Sequence, residues 1–133
     1  MKKYKILIVL ADFYEDISSA LLGRAKLQIP YKYAEPKNIK VIKVPGVFEI
    51  PVTISKNIKK YDAFIALGCV IKGETPHFDF ISSATTNAIM KLSVDSKKPT
   101  GNGIITCLDR NQAEDRINKA LGAVNAVISV LEQ

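Results

Sequence analysis

Four short apolar runs alternate along this chain with four longer stretches of helical spacing, and that alternation restricts the fold more than any other feature. The runs are Lys5 to Leu10, Ile39 to Val44, Ala63 to Cys69 and Gly103 to Cys107. The first is continuously aliphatic, as in strands covered on both faces. Between and after the runs, helical stretches are expected at about 15–28, 50–60, 79–95 and 111–132. In the third, Ile81, Ala84, Ala88 and Leu92 have helical spacing. In the last, Ala113, Ile117, Ala120, Leu121, Val124, Val127, Ile128 and Leu131 form a sustained apolar face. Strictly alternating β and α elements predict an α/β fold of the flavodoxin-like kind, a three-layer sandwich around a four-stranded parallel sheet. Such a sheet has a mouth where the loops beyond its strand ends converge, here the loops after Leu10, Val44 and Cys69 and a turn beside the fourth strand.

A chain of 133 residues is expected to form one domain, 1–133. With 47% apolar and 24% charged residues it has the composition of an ordered globular protein. The basic start Met-Lys-Lys-Tyr-Lys resembles that of an export signal. The apolar run behind it stops at Asp12, short of the roughly 7–15 residues an export core needs. No stretch nears the roughly 20 apolar residues of a membrane span, so a cytoplasmic location is expected. Cys69 and Cys107, with a single histidine, provide none of the usual zinc spacings and read as buried free thiols. The net charge of +6 is spread over scattered lysines without interleaved aromatics. That pattern suits attraction of small phosphorylated anions at least as well as nucleic acid.

Chemistry concentrates in the loops. Phe13 follows the first strand among acidic residues, and serves either as core or as an exposed ring for stacking on a flat ligand. In Val44-Pro-Gly-Val-Phe-Glu-Ile-Pro51, Gly46 permits an unusual backbone turn and Pro51 suits a first helical turn. Glu49 is either a helix-start carboxylate, the reading that spacing favours, or an acceptor for a polyol or amine. The segment from Cys69 to Phe80 contains Gly73, Glu74, Thr75 and the only histidine, His77. Backbone amides and a hydroxyl there can hold one phosphate. His77 is either structural or suited to proton transfer near neutral pH. Arg116 and Lys119, one turn apart on the last helix, are either a solvated face or phosphate partners.

Together these segments resemble the lumazine synthase family of riboflavin biosynthesis. Val44-Pro-Gly-Val-Phe-Glu-Ile-Pro51 is similar to that family's Pro-Gly-Ala-Phe-Glu-Ile-Pro. Gly68-Cys-Val-Ile-Lys-Gly-Glu-Thr-Pro-His-Phe-Asp79 is similar to its Gly-Cys-Val-Ile-Arg-Gly-Glu-Thr-Pro-His-Phe-Asp. The resemblance extends over essentially the whole chain. It implies a transferase that condenses 5-amino-6-(D-ribitylamino)uracil with 3,4-dihydroxy-2-butanone 4-phosphate, without metal or redox cofactor. Phe13 would stack on the pyrimidine, with Val47, Phe48 and Glu49 holding that substrate and Glu49 on its ribityl chain. Cys69, Val70 and Ile71 would line the ring pocket through backbone groups. Glu74 and Thr75 would cradle the phosphate with Arg116 and Lys119, and His77 would transfer protons. The alternatives in other classes are a non-catalytic flavin- or lumazine-binding module and a shell-forming scaffold of the same fold.

Three departures accompany the resemblance. Asn102 stands where many members have a phenylalanine against the ring, and is expected to hydrogen-bond the uracil edge. The region after Arg116 is shorter than the family's Gly-Thr-Lys-Ala-Gly-Asn-Lys-Gly connection. Few residues precede the first strand. The resemblance implies a homo-oligomer with active sites between subunits, and the shortened regions lead to an expectation of a pentamer or two stacked pentamers and not an icosahedral shell. Riboflavin synthase is a candidate partner. Nucleic acid and membrane are not expected partners.

Overall fold

The computed structural model describes residues 3–73 and 78–133. Four strands, β1 (Ile6–Ala11), β2 (Ile39–Val44), β3 (Ala63–Ile71) and β4 (Thr100–Cys107), form one sheet in the order β2-β1-β3-β4 with every pairing parallel. Among the described residues five α-helices connect or follow them: α1 (Glu15–Gln28), α2 (Ile50–Lys56), α3 (Phe78–Ser96), α4 (Arg110–Asp115) and α5 (Lys119–Leu131). Because successive side chains on a strand point to opposite faces, β1 divides cleanly. Ile6, Ile8 and Leu10 pack with α1, α4 and α5, whereas Leu7, Val9 and Ala11 pack with α2 and α3. The two central strands, β1 and β3, are buried along their whole length, which is why they read as unbroken apolar runs. The edge strand β2 exposes Lys40 and Lys43, charges that discourage pairing with another sheet.

The expected α/β sandwich is therefore present, with several local differences. β4 starts at Thr100, three residues before the expected run, because its first half contains Gly101 and Gly103 and carries no apolar signal. Those glycines let α5 approach closely: a Cβ on Gly101 would lie 2.3 Å from the Ala123 carbonyl oxygen. α2 ends at Lys56 instead of continuing to 60. The face that α3 buries is centred on Thr85 and Ile89, with Ile81 and Leu92 beside it, so Ala84 is exposed. The single last helix expected over 111–132 is two helices. Arg116 N–H is shared between the Gln112 and Ala113 carbonyls, the chain turns through residues 116–118, and α5 restarts at Lys119. The apolar face continues across this break through Ala113, Ala120, Val124 and Val127. α4 has its own start signal: Asp109 accepts from Gln112 N–H at 2.9 Å, and the Gln112 side chain accepts from Leu108 N–H at 2.8 Å.

Candidate active site

The chain leaves β1 to form β2 on one side, then returns to form β3 on the other, so the strand order reverses beside β1. In open parallel sheets such a switch point opens a crevice beyond the strand ends. A cavity of about 280 Å³ lies there, lined by Phe13, Tyr14, Pro45, Gly46, Val47, Phe48, Glu49, Cys69 and Ile81. Residues after β1 and after β2 thus meet there, with Cys69 of β3 and Ile81 of α3. The turn after β4, Leu108 and Asp109, does not line this cavity.

Each wall is placed by a local device. α1 is tied to the end of β1 by the buried Ser18 hydroxyl, which donates to the Ala11 carbonyl at 2.8 Å. Asp12 N–H reaches across to Val44 O at 2.9 Å and joins the ends of β1 and β2. The two intervening aromatics separate: Tyr14 is buried at 8% exposure, whereas Phe13 stands out at 60%. Their rings meet at 4.9 Å with a 59° tilt. Phe13 is therefore not core. After β2, residues Val47–Glu49 form one 3₁₀ turn that leads straight into α2, where Pro51 occupies the first turn as expected. This turn buries Val47 and leaves Phe48 66% exposed. Gly46 does not adopt an unusual conformation: its φ of −152° and ψ of 174° are extended. A Cβ there would meet only the Glu49 carboxylate, at 3.4 Å, an ordinary contact. Glu49 is the half-buried N-cap residue of α2, makes no side-chain cap hydrogen bond there, and has its side chain at the cavity wall.

The floor belongs to β3. Gly68 is needed there, because a Cβ would come within 2.8 Å of Val47 Cγ1 and 2.9 Å of Ala11 Cβ. Cys69 lines the cavity, and burial pushes its thiol up to about 12, with the neighbouring Cys107 adding to the shift. Cys107 is raised by burial as well, and both thiols are free and buried. Val70 and Ile71 are also buried, their side chains directed into opposite cores and not into the cavity. Glu74, Thr75 and His77 lie outside the described residues.

Asn102, Arg116 and Lys119 are elsewhere. All three attach to the free edge of β4. Cys107 O accepts from Lys72 N–H on the β3 side, so the carbonyls of Ile104 and Thr106 face outward. Lys119 Nζ donates to Ile104 O at 2.8 Å and Arg116 Nη1 to Thr106 O at 2.6 Å. Asn102 Oδ1 accepts from Ile104 N–H at 3.0 Å. Arg116 and Lys119 line a separate hollow of about 320 Å³ with Ile105, Thr106, Asp115 and Asn118. Two cations side by side suit an anion, and burial together with Arg116 lowers the Lys119 pKa. Among the described residues no group of three or more His, Cys, Asp or Glu side chains is arranged to hold a metal ion, and no helix is long and apolar enough to cross a membrane.

Sequence reasoning missed Tyr14 and Ile81 as cavity walls. Tyr14 carried a usable signal, being next to Phe13. Ile81 did not, since only the tertiary placement of α3 turns it to the mouth.

A model of the family described as 6,7-dimethyl-8-ribityllumazine synthase matches residues 3–133. A 6,7-dimethyl-8-ribityllumazine synthase of Polaromonas sp. is 38% identical over 132 residues, 97% of this chain and 86% of the relative. That of Agrobacterium fabrum is 41% identical over 127 residues, 90% of this chain and 84% of the relative. That of Corynebacterium kroppenstedtii is 41% identical over 112 residues, 84% and 69% of the two chains.

Proposed function

The chain belongs to the 6,7-dimethyl-8-ribityllumazine synthase family, and from that premise we propose that the crevice beyond β1, β2 and β3 is its pyrimidine site. The protein is a transferase of riboflavin biosynthesis. It condenses 5-amino-6-(D-ribitylamino)uracil with 3,4-dihydroxy-2-butanone 4-phosphate to give 6,7-dimethyl-8-ribityllumazine, phosphate and water. The observation that carries the site assignment is the cavity itself, in which two exposed aromatics, Phe13 and Phe48, flank a carboxylate at a topological switch point. A flat heteroaromatic ring stacks on Phe13, and Glu49 accepts hydrogen bonds from the ribityl hydroxyls. The ring edge rests on backbone groups of Cys69, Val70 and Ile71 and on Val47.

The butanone phosphate binds next to it, its phosphate held by Glu74 and Thr75 and by the cations Arg116 and Lys119. His77 transfers protons as the imine forms, phosphate leaves and the ring closes. Catalysis then rests mainly on holding two reactants together, to which proton transfer adds about 10²–10⁴-fold.

In one chain the Arg116–Lys119 hollow and the Phe13–Glu49 cavity share no lining residue. That separation supports a site assembled between copies: one subunit supplies Phe13, Glu49 and His77, its neighbour Asn102, Arg116 and Lys119. The exposed Phe13, Phe48, Phe80 and Leu108 are the kind of apolar surface such an interface covers. The resemblance to the family makes the ring five-fold, as a pentamer or decamer. Two free thiols on adjacent strands fit a reducing compartment, the cytoplasm.

Mixing the protein with both substrates should produce lumazine absorbance and one phosphate per turnover. Binding of the ribityl substrate without turnover would refute the catalytic reading in favour of a binding module.

A further inference from the structure

We propose that Arg110 and Asp16 form a strap across the mouth that positions Phe13 for the pyrimidine substrate. This rests on the site reading above and deepens it. Arg110 opens α4, after β4, whereas Asp16 lies in the first turn of α1, after β1. β3 lies between those two strands in the sheet, so the pair bridges over its carboxyl end. One guanidinium nitrogen, Nη2, donates to both Asp16 oxygens at 2.5 Å. The same guanidinium stands over the Tyr14 ring, 5.9 Å from its centroid, and Tyr14 in turn meets Phe13 at 4.9 Å.

The strap has a physical task. Ser18 ties the start of α1 to Ala11, but the N-cap residue, Tyr14, makes no side-chain cap hydrogen bond. Arg110 adds a second tie from outside: it anchors α1 through Asp16 and covers Tyr14, against which the exposed Phe13 ring leans. Both charged groups are exposed, with side chains 49% and 64% accessible, so the pair orders the turn without adding much to global stability. Arg110 holds the Asp16 carboxyl below the usual carboxylate range, so the pair stays charged at neutral pH. A lone surface ion pair has no reason to affect one substrate and not the other. A strap on Phe13 does.

The test is steady-state kinetics of the intact assembly with each substrate varied separately. Arg110→Ala and Asp16→Ala should each raise KM for ribitylaminouracil about threefold and leave KM for the butanone phosphate unchanged. In a Phe13→Ala background Arg110→Ala should add nothing. The reversed pair, Asp16→Arg with Arg110→Asp, should recover most of the affinity. If Phe13→Ala raises that KM but Arg110→Ala does not, the strap is wrong and the site reading stands. If Phe13→Ala has no effect, the site reading fails and the strap with it. A rise for the butanone phosphate instead would make Arg110 a phosphate partner. Equal rises for both substrates, or a lower Tm with unchanged KM, would make it a structural brace. Each of those last outcomes overturns the proposal.

Discussion

Replacing Gly68 by alanine tests how the sheet positions the pocket. The added methyl would stand 2.8 Å from Val47 Cγ1 and 2.9 Å from Ala11 Cβ, about 1 Å inside ordinary carbon contact on two sides. Ala11 is fixed in β1, hydrogen-bonded to its neighbours and 2% exposed, so it cannot yield. Val47 has to move instead. It is β-branched, 6% exposed and part of the 3₁₀ turn that carries Phe48 and Glu49. Overpacking of this kind costs about 1–3 kcal/mol. The alanine recovers roughly 0.4–1 kcal/mol by restricting the unfolded chain. A net loss of about 1–2 kcal/mol follows, which for a chain of this length lowers Tm by about 3–8 °C. Because the displaced turn holds Glu49, KM for ribitylaminouracil should rise together with the fall in Tm. Scanning calorimetry and steady-state kinetics on the same preparation measure both. Gly46→Ala is the control, since it meets only the tip of the Glu49 side chain at 3.4 Å and its backbone is extended; with no collision to offset the restricted unfolded chain, its Tm should not fall. An unaltered Tm and KM in Gly68→Ala would show that Val47 is not wedged against the sheet.

Arg116→Ala should raise KM for the butanone phosphate by about tenfold to hundredfold and affect the pyrimidine less, since charge-assisted hydrogen bonds to one substrate are lost; equal effects would mean that its bond to Thr106 O is purely structural. Gly101→Ala should destabilise by about 3 kcal/mol in urea titration, because it collides with the α5 backbone, whereas Gly23→Ala, with nothing within 4 Å, should stabilise α1 by roughly 0.5–1 kcal/mol. Stability should fall as pH rises from about 9 to about 12, the window between the ordinary Cys69 value of 9.0 and its raised folded value, because the unfolded thiol releases its proton first; Cys69→Ala should flatten that slope. His77→Ala should lower kcat by about 10²–10⁴-fold and leave pyrimidine binding intact in an equilibrium titration.

The one-dimensional pattern was sufficient for the fold class. Strands covered on both faces need apolar residues at every position, and strands joined by helices must run parallel, so β1 and β3 and their neighbours were legible from spacing alone. The motifs around Glu49 and Cys69 were legible too, because loops after parallel strands carry chemistry in short contiguous segments. Spacing failed where a residue's role lies in what it omits or in what lies across from it. The first half of β4 was invisible since Gly101 and Gly103 leave room for α5 instead of filling space. Gly46 and Gly68 look alike in sequence; only packing shows that a side chain would fit at the first and would collide with Val47 and Ala11 at the second. Periodicity could not see the break at residues 116–118, because the apolar face runs through it. Nor could it show that Arg116, Lys119 and Asn102 all fasten to the outer edge of β4, away from the cavity around Phe13. Arg110 and Asp16, 94 positions apart in the chain, are neighbours only because β3 inserts between β1 and β4 and leaves their two loops to meet above it.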